Sequence, residues 1–167
     1  FLRAGPGFGG SCLPSQIDLL TDVSSALALD LDLIPAVQRS NRAQPARIAD
    51  EVVARGGRKA RIALLGLAFK SGTDDVRSSP ALAIAAELQQ RGVADIAAFD
   101  PGVPGLPGRA DLRVCPSPYA AAEGADIVII ATEWPLFARL DWDRLAAVMA
   151  RREAYDARGI VAIDAAT

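Results

Sequence analysis

RIALLGLAFKSGTDDVRSSPALAIAAELQQRGVADIAAFD, residues 61–100, decides the fold. Ile62 to Leu67 is a short run of apolar residues broken only by Gly66. Pro80 to Arg91 has the apolar spacing of a helix with proline in its first turn, and Asp95 to Phe99 is a second short apolar run. Such brief runs, rich in Ile and Leu and separated by a helix, are strands buried on both faces of a parallel sheet. The pattern repeats downstream. Residues 101–110 form a loop with three prolines and three glycines, Pro118 to Glu123 a short helix, and Asp126 to Thr132 a nearly all-apolar strand. A helix over Trp142 to Arg152 and a last strand within Tyr155 to Ile163 complete it. The expected class is α/β: a Rossmann-like domain with a parallel sheet over 57–167, preceded by a helical segment over 1–56.

Ligands of such folds collect where the loops leave the carboxyl ends of the strands. There the sequence places Lys70, Ser71, Thr73, Arg77, Ser78 and Ser79, leading into a helix at Pro80. Two cations and free helical N–H groups can converge on phosphate. Asp100 closes the second strand, where dinucleotide folds place a carboxylate for ribose hydroxyls. In the competing reading Lys70 and Arg77 are solvated partners of Asp74 and Asp75, as in any charged loop. No Gly-x-Gly-x-x-Gly follows this first strand.

Upstream, residues 14–29 read as one helix, with Ile17, Leu20, Val23 and Leu27 at helical spacing. Asp32 is an expected N-cap for a longer helix from Pro35 to Arg55, closed by Gly56-Gly57 and bent at Pro45. Its stripe of Ile34, Val37, Ile48 and Val52 also carries the amides Asn41 and Gln44, which need partners across a subunit contact, on a ligand, or at a wet edge. The loop before these helices, Gly5-Pro6-Gly7-Phe8-Gly9-Gly10-Ser11-Cys12-Leu13-Pro14, is the most chemically pointed stretch. Its glycines allow close backbone approach, and a cysteine at a helix start sits at the positive end of the helix dipole, which favours thiolate. The commoner fate of a cysteine, a small buried hydrophobe, suits Cys115.

Composition closes several routes. With no histidine, Ser-His-Asp and Cys-His pairs and histidine metal sites are excluded within this chain, and the two cysteines form neither a CxxC pair nor a zinc cluster. No metal site is expected. A net charge of −2 provides no basic field for nucleic acid, and no apolar run approaches the roughly 20 residues of a membrane span. Two cysteines make no disulfide framework, so a cytoplasmic location is expected. A chain opening on Phe1 and entering its main motif at once reads as the later part of a larger protein.

The motifs in their order resemble the nucleotide-sugar 6-dehydrogenases, the family of UDP-glucose and GDP-mannose 6-dehydrogenases: GFGGSCLP at 7–14, Ser40-Asn41 with Gln44, GLAFKSGTDDVRSSPAL at 66–82, Thr132-Glu133-Trp134 and Asp156-Ala157-Arg158. The resemblance covers nearly the whole chain. It implies NAD-dependent oxidation of a sugar C6 alcohol to a carboxylate by two hydride transfers, through a thiohemiacetal and a thioester on Cys12. By the same resemblance Phe1, Leu2, Gly7, Gly9, Gly10 and Asn41 enclose substrate, Lys70 and Arg158 hold the nucleotide sugar, and Arg77 reaches the NAD pyrophosphate. It further implies a homodimer through the long helix and an NAD-binding domain upstream. The departure is at Ser15 and Gln16, where the family has Lys-Asp: Gln16 stands in place of the aspartate that positions or activates water. Thr132-Glu133-Trp134 and the Asp156-Ala157-Arg158 ending favour a UDP sugar and Ser40-Asn41 leans towards GDP-mannose. A degenerate binding or dimerisation module, its redox chemistry lost with the Lys-Asp pair, is the alternative.

Overall fold

The computed structural model describes residues 5–161. Two helices lead, α1 (Cys12–Ala26) and α2 (Leu33–Gly56), followed by β1 (Ile62–Leu65), α3 (Pro80–Gln90), β2 (Ile96–Phe99), β3 (Arg113–Val114), α4 (Pro118–Ala122), β4 (Ile127–Ile130), α5 (Pro135–Ala138), α6 (Trp142–Val148) and β5 (Glu153–Asp156). The five strands are parallel in the order β3-β2-β1-β4-β5. This is the expected Rossmann-like sheet.

Side chains alternate across it. Ile62, Leu64, Ile96, Ala98, Ile127 and Ile129 point to one face, and Ala63, Leu65, Ala97, Val128 and Ile130 to the other. The first face is covered by Ile84, Ala85 and Leu88 of α3 together with Ile48, Ala49 and Val52 of α2. The second lies under Ala121 and Ala122 of α4, Phe137 of α5 and Leu145 of α6. Because both faces are covered, every residue of β1 and β4 is buried, which is why these strands read as continuous apolar runs. Pro80, Pro118 and Pro135 each start a helix, and Ser79, Ser117 and Asp141 cap α3, α4 and α6 through side-chain oxygens.

Several boundaries differ from the sequence expectation. The first helix starts at Cys12 rather than at residue 14, so Cys12 is itself helical. Asp32 stands at the N-cap of α2 without a capping hydrogen bond, because its own backbone is already helical. The helix continues through Pro45, which is buried. The last strand begins at Glu153, two residues early, and ends at Asp156; residues 162 and 163 of the expected strand lie outside the described residues. The short β3 and α5 carry too few residues to show a period. The second half of α2 packs on α3 and the sheet, so physically it belongs to the core of the α/β unit. Exposed large apolar side chains gather instead on α1, the loop after it and the first residue of α2: Leu19, Leu20, Val23, Leu27, Leu31 and Leu33.

Candidate active site

β1 and β4 are neighbours, but the chain leaves β1 towards β2 on one side and returns to β4 on the other. The gap between their carboxyl ends is thus the switch point where α/β sheets bind ligands. The two loops meet tightly there: a Cβ on Gly66, whose φ is +99°, would lie 2.7 Å from the backbone nitrogen of Thr132. A cavity of about 490 Å³ opens above them, walled by Phe69 and Lys70 after β1, Glu133 after β4, Arg158 after β5, and Gly5, Gly7, Phe8 and Gly9 of the glycine loop.

The glycine loop is tied down from two sides. Phe8 N–H donates to Asn41 Oδ1 at 2.8 Å and Asn41 Nδ2 donates back to the Phe8 carbonyl at 3.0 Å. The Asn41 amide within the stripe of α2 therefore finds its partners in this loop. Gly10 N–H donates to the Arg77 carbonyl at 2.9 Å. Close approach makes glycine necessary here. A Cβ on Gly9 would lie 2.9 Å from Pro80 Cδ and closer still to the Ser78 carbonyl, and one on Gly10, at φ +82°, would press the Phe69 ring. Ser78 itself holds a left-handed φ of +48°, a conformation that a non-glycine residue keeps only where its surroundings impose it. Phe1 and Leu2 lie outside the described residues.

Cys12 is exposed at the first position of α1, with Ser11 Oγ 3.8 Å from its sulfur. Gln16 follows one helical turn later and is also exposed, so the two side chains stand on one face of the helix.

The cations do not converge. Lys70 lines the cavity, exposed, with Nζ 5.5 Å from the Phe69 ring centroid and no ion pair among the described residues. Arg77 is turned away from it into a two-pronged hydrogen bond with Asp75, Nη2 to Oδ2 at 2.7 Å. That bond lowers the Asp75 carboxyl to about 2 and raises the Arg77 guanidinium, an effect to which the nearby Cys12 sulfur adds. Arg77 thus makes the pairing of an ordinary charged loop, with Asp75, whereas Lys70 pairs with neither Asp74 nor Asp75 among the described residues.

Arg158 meets Glu133, whose other oxygen accepts a 3.4 Å bond from Ser71 N–H. Burial pushes the Arg158 guanidinium below its usual pKa. With Lys70, Arg158 and Glu133 the cavity carries one net positive charge. Asp156 shapes the Arg158 loop by accepting four backbone bonds, from Arg158, Gly159, Ile160 and Val161, at 2.7–2.8 Å. Asp100, expected to face ribose hydroxyls, is buried and engaged internally: it accepts from Leu67 N at 2.7 Å, Ala68 N at 3.0 Å, Gly102 N at 2.8 Å and Trp134 Nε1 at 3.1 Å. Buried among these four donors, Asp100 does not line the cavity, and that expectation is corrected. Sequence reading quoted Glu133 and Asp156 within the family motifs but gave neither a role; Glu133 stands just past β4 and Asp156 at the end of β5.

Among the described residues no group of three or more side chains could hold a metal ion, and no helix is long and apolar enough to cross a membrane.

Two models of one family match the chain: the UDP-glucose/GDP-mannose dehydrogenase family, UDP binding domain, over residues 63–163, and the central domain of the same family over residues 1–43. The UDP-glucose 6-dehydrogenase of Rickettsia bellii is 36% identical over 98% of this chain, and that of Rickettsia conorii 40% identical over 87%. The chain spans only 39% and 35% of the length of those relatives. Among solved structures, UDP-D-ManNAc dehydrogenase from Pyrococcus horikoshii superposes with a TM-score of 0.78 at 34% identity, over 94% of this chain and 36% of that one. A GDP-mannose dehydrogenase ternary complex from Pseudomonas aeruginosa gives 0.78 at 25% identity, over 100% and 40%. With the parallel sheet, the switch-point cavity and the cysteine loop closing over it, these matches establish that the chain belongs to the UDP-glucose/GDP-mannose dehydrogenase family.

Proposed function

We propose that this chain supplies the sugar-nucleotide pocket and the nucleophilic cysteine of an NAD-dependent 6-dehydrogenase acting on UDP-glucose or a related UDP sugar. The observation that carries this reading is the cavity in which Lys70 and Arg158 stand beneath the glycine loop that ends at Cys12. Two cations and one carboxylate suit a diphosphate and neighbouring hydroxyls. Loop glycines that admit no Cβ keep backbone close to the sugar.

Arg77, exposed and oriented by Asp75, fits an anionic pyrophosphate at the rim, and the rest of an NAD site lies beyond the described residues. Bound there, NAD supplies hydride acceptance. The chain's own chemistry is that of sulfur: Cys12 adds to C6 of the sugar aldehyde to form a thiohemiacetal, and once this is oxidised to the thioester, water cleaves the C–S bond to release carboxylate and thiol. Two exposed residues without charge, Ser15 and Gln16, favour a second reading, a binding module whose redox chemistry has been lost.

Removing the Lys70 ammonium should weaken binding by roughly 1.5–3 kcal/mol, the range for hydrogen bonds to a charged group. Calorimetry with UDP-glucose and GDP-mannose checks this in the complete protein. Lys70→Ala binding UDP-glucose as tightly as the parent would remove the assignment, and tighter binding of GDP-mannose would move the base preference.

Pairing with a second copy through the helical segment, expected along the long helix, finds its best support in the apolar side chains exposed on α1 and the following loop, since Ile48, Ala49 and Val52 of α2 are already covered. Sedimentation should find a dimer at micromolar concentration, and Leu20→Glu with Val23→Glu should dissociate it. A monomer at high micromolar concentration counts against the pairing.

A further inference from the structure

Three of the four buried polar side chains among the described residues, Ser79, Asp100 and Thr132, converge on two consecutive peptide groups just past β1. Asp100 Oδ2 accepts both N–H groups, of Leu67 and Ala68. Ser79 Oγ donates to the Leu67 carbonyl at 2.6 Å, and Thr132 Oγ1 donates to the Ala68 carbonyl at 2.9 Å. All four polar groups of two loop residues are thus satisfied by side chains from three other segments. The next two residues are Phe69 and Lys70. The same Asp100 carboxylate also accepts Trp134 Nε1, one residue past Glu133, which in turn holds Arg158 and Ser71.

A buried carboxylate with no cation beside it is an expensive way to close a sheet edge, and apolar packing would serve stability as well. Its four N–H donors compensate the charge and leave it one orientation. What such a hub adds is geometry: one anion sets the distance between the loop bearing Lys70 and the loop bearing Glu133, two walls of the cavity. We propose that Asp100 is a positioning residue of this pocket, acting on sugar-nucleotide binding through Lys70 and Glu133 without touching the ligand. The proposal rests on the function argued above.

Asp100→Asn is the sharpest variant. Its oxygen can still accept from Leu67, Ala68 and Trp134, but its amide N–H₂ then faces the Gly102 N–H, donor against donor. In the complete protein, folded by circular dichroism, Asp100→Asn should bind UDP-glucose at least about 10-fold more weakly, as expected for an unsatisfied buried donor. The indole N–H resonance of Trp134 should shift while that of Trp142, which has no hydrogen-bond partner, stays in place. The deciding measurement is the double-mutant cycle with Lys70→Ala. If Asp100 acts by placing Lys70, the double variant loses little beyond Lys70→Ala alone; a general loosening of the fold gives additive losses. Additive losses, or Asp100→Asn binding within about twofold of the parent, which is below the effect of a lost hydrogen bond, overturn the proposal. Should Asp100→Asn fail to fold, Thr132→Val, which deletes one donor at nearly constant shape, should weaken binding about threefold and show the same coupling. A parent protein that binds no UDP-glucose removes the functional reading itself, and this proposal with it, a result distinct from either outcome of the cycle.

Discussion

Gln16→Asp in the complete protein should speed discharge of the acyl group from Cys12 by about 10²–10⁴-fold, the usual contribution of a positioned general base. The expectation comes from the geometry of α1. Because the helix begins at Cys12, residue 16 follows by one turn on the same face, where side chains four apart are neighbours. The Gln16 side chain is exposed and makes no hydrogen bond within the described residues, so its amide is free to orient water. An amide cannot take the proton, however, and hydrolysis of a thioester needs that proton removed as water attacks. Formation of the thioester asks only for the sulfur and an oxidant. The parent should therefore accumulate a covalent adduct on Cys12 when mixed with UDP-glucose and NAD, visible by intact-protein mass spectrometry, and Gln16→Asp should clear it. Fast steady turnover without an adduct, and no gain from Gln16→Asp, would refute the hydrolysis defect. No adduct and no turnover in either protein would favour the binding module.

Phe137→Ala should cost about 3–5 kcal/mol of stability, the range for emptying a fully buried aromatic site. Phe137 on α5 has no exposed surface, lies under the second face of the sheet, and meets Phe99 edge-to-face with ring centroids 6.3 Å apart. Helix α5 has only four residues and little stability of its own, so this one ring is its main anchor. Against a whole-domain stability of about 5–15 kcal/mol, such a loss approaches unfolding. Denaturant titration checks it, with the exposed neighbour Leu136→Ala as the control expected to change little. A loss for Phe137→Ala below about 1 kcal/mol would mean that the second face is held by other contacts.

The sheet was legible because its signal is local. Ile62–Leu65 and Ile127–Ile130 are apolar at every position since both faces of the central strands are covered, and the helices between them follow prolines and capping serines. The cysteine loop was legible for the same reason: glycines next to a lone thiol at a helix start declare themselves within ten residues. By contrast, a short strand such as Arg113–Val114 is defined by its pairing with β2 and carries no period of its own.

What the sequence by itself determined is the α/β class, the parallel pairing of its apolar runs, the family motifs and the identity of Cys12. Only the tertiary structure decided how the polar residues divide the work. Lys70 keeps the cavity while Arg77, seven residues on, turns to Asp75; Asp100 gives up any ligand to serve four N–H groups; Glu133 finds Arg158; and Asn41 holds the loop at Phe8. The physical reason is range. Burial on both faces is written residue by residue, but these partners lie up to 34 residues apart along the chain, and those of Asp100 meet because the strand order places the ends of β1, β2 and β4 side by side.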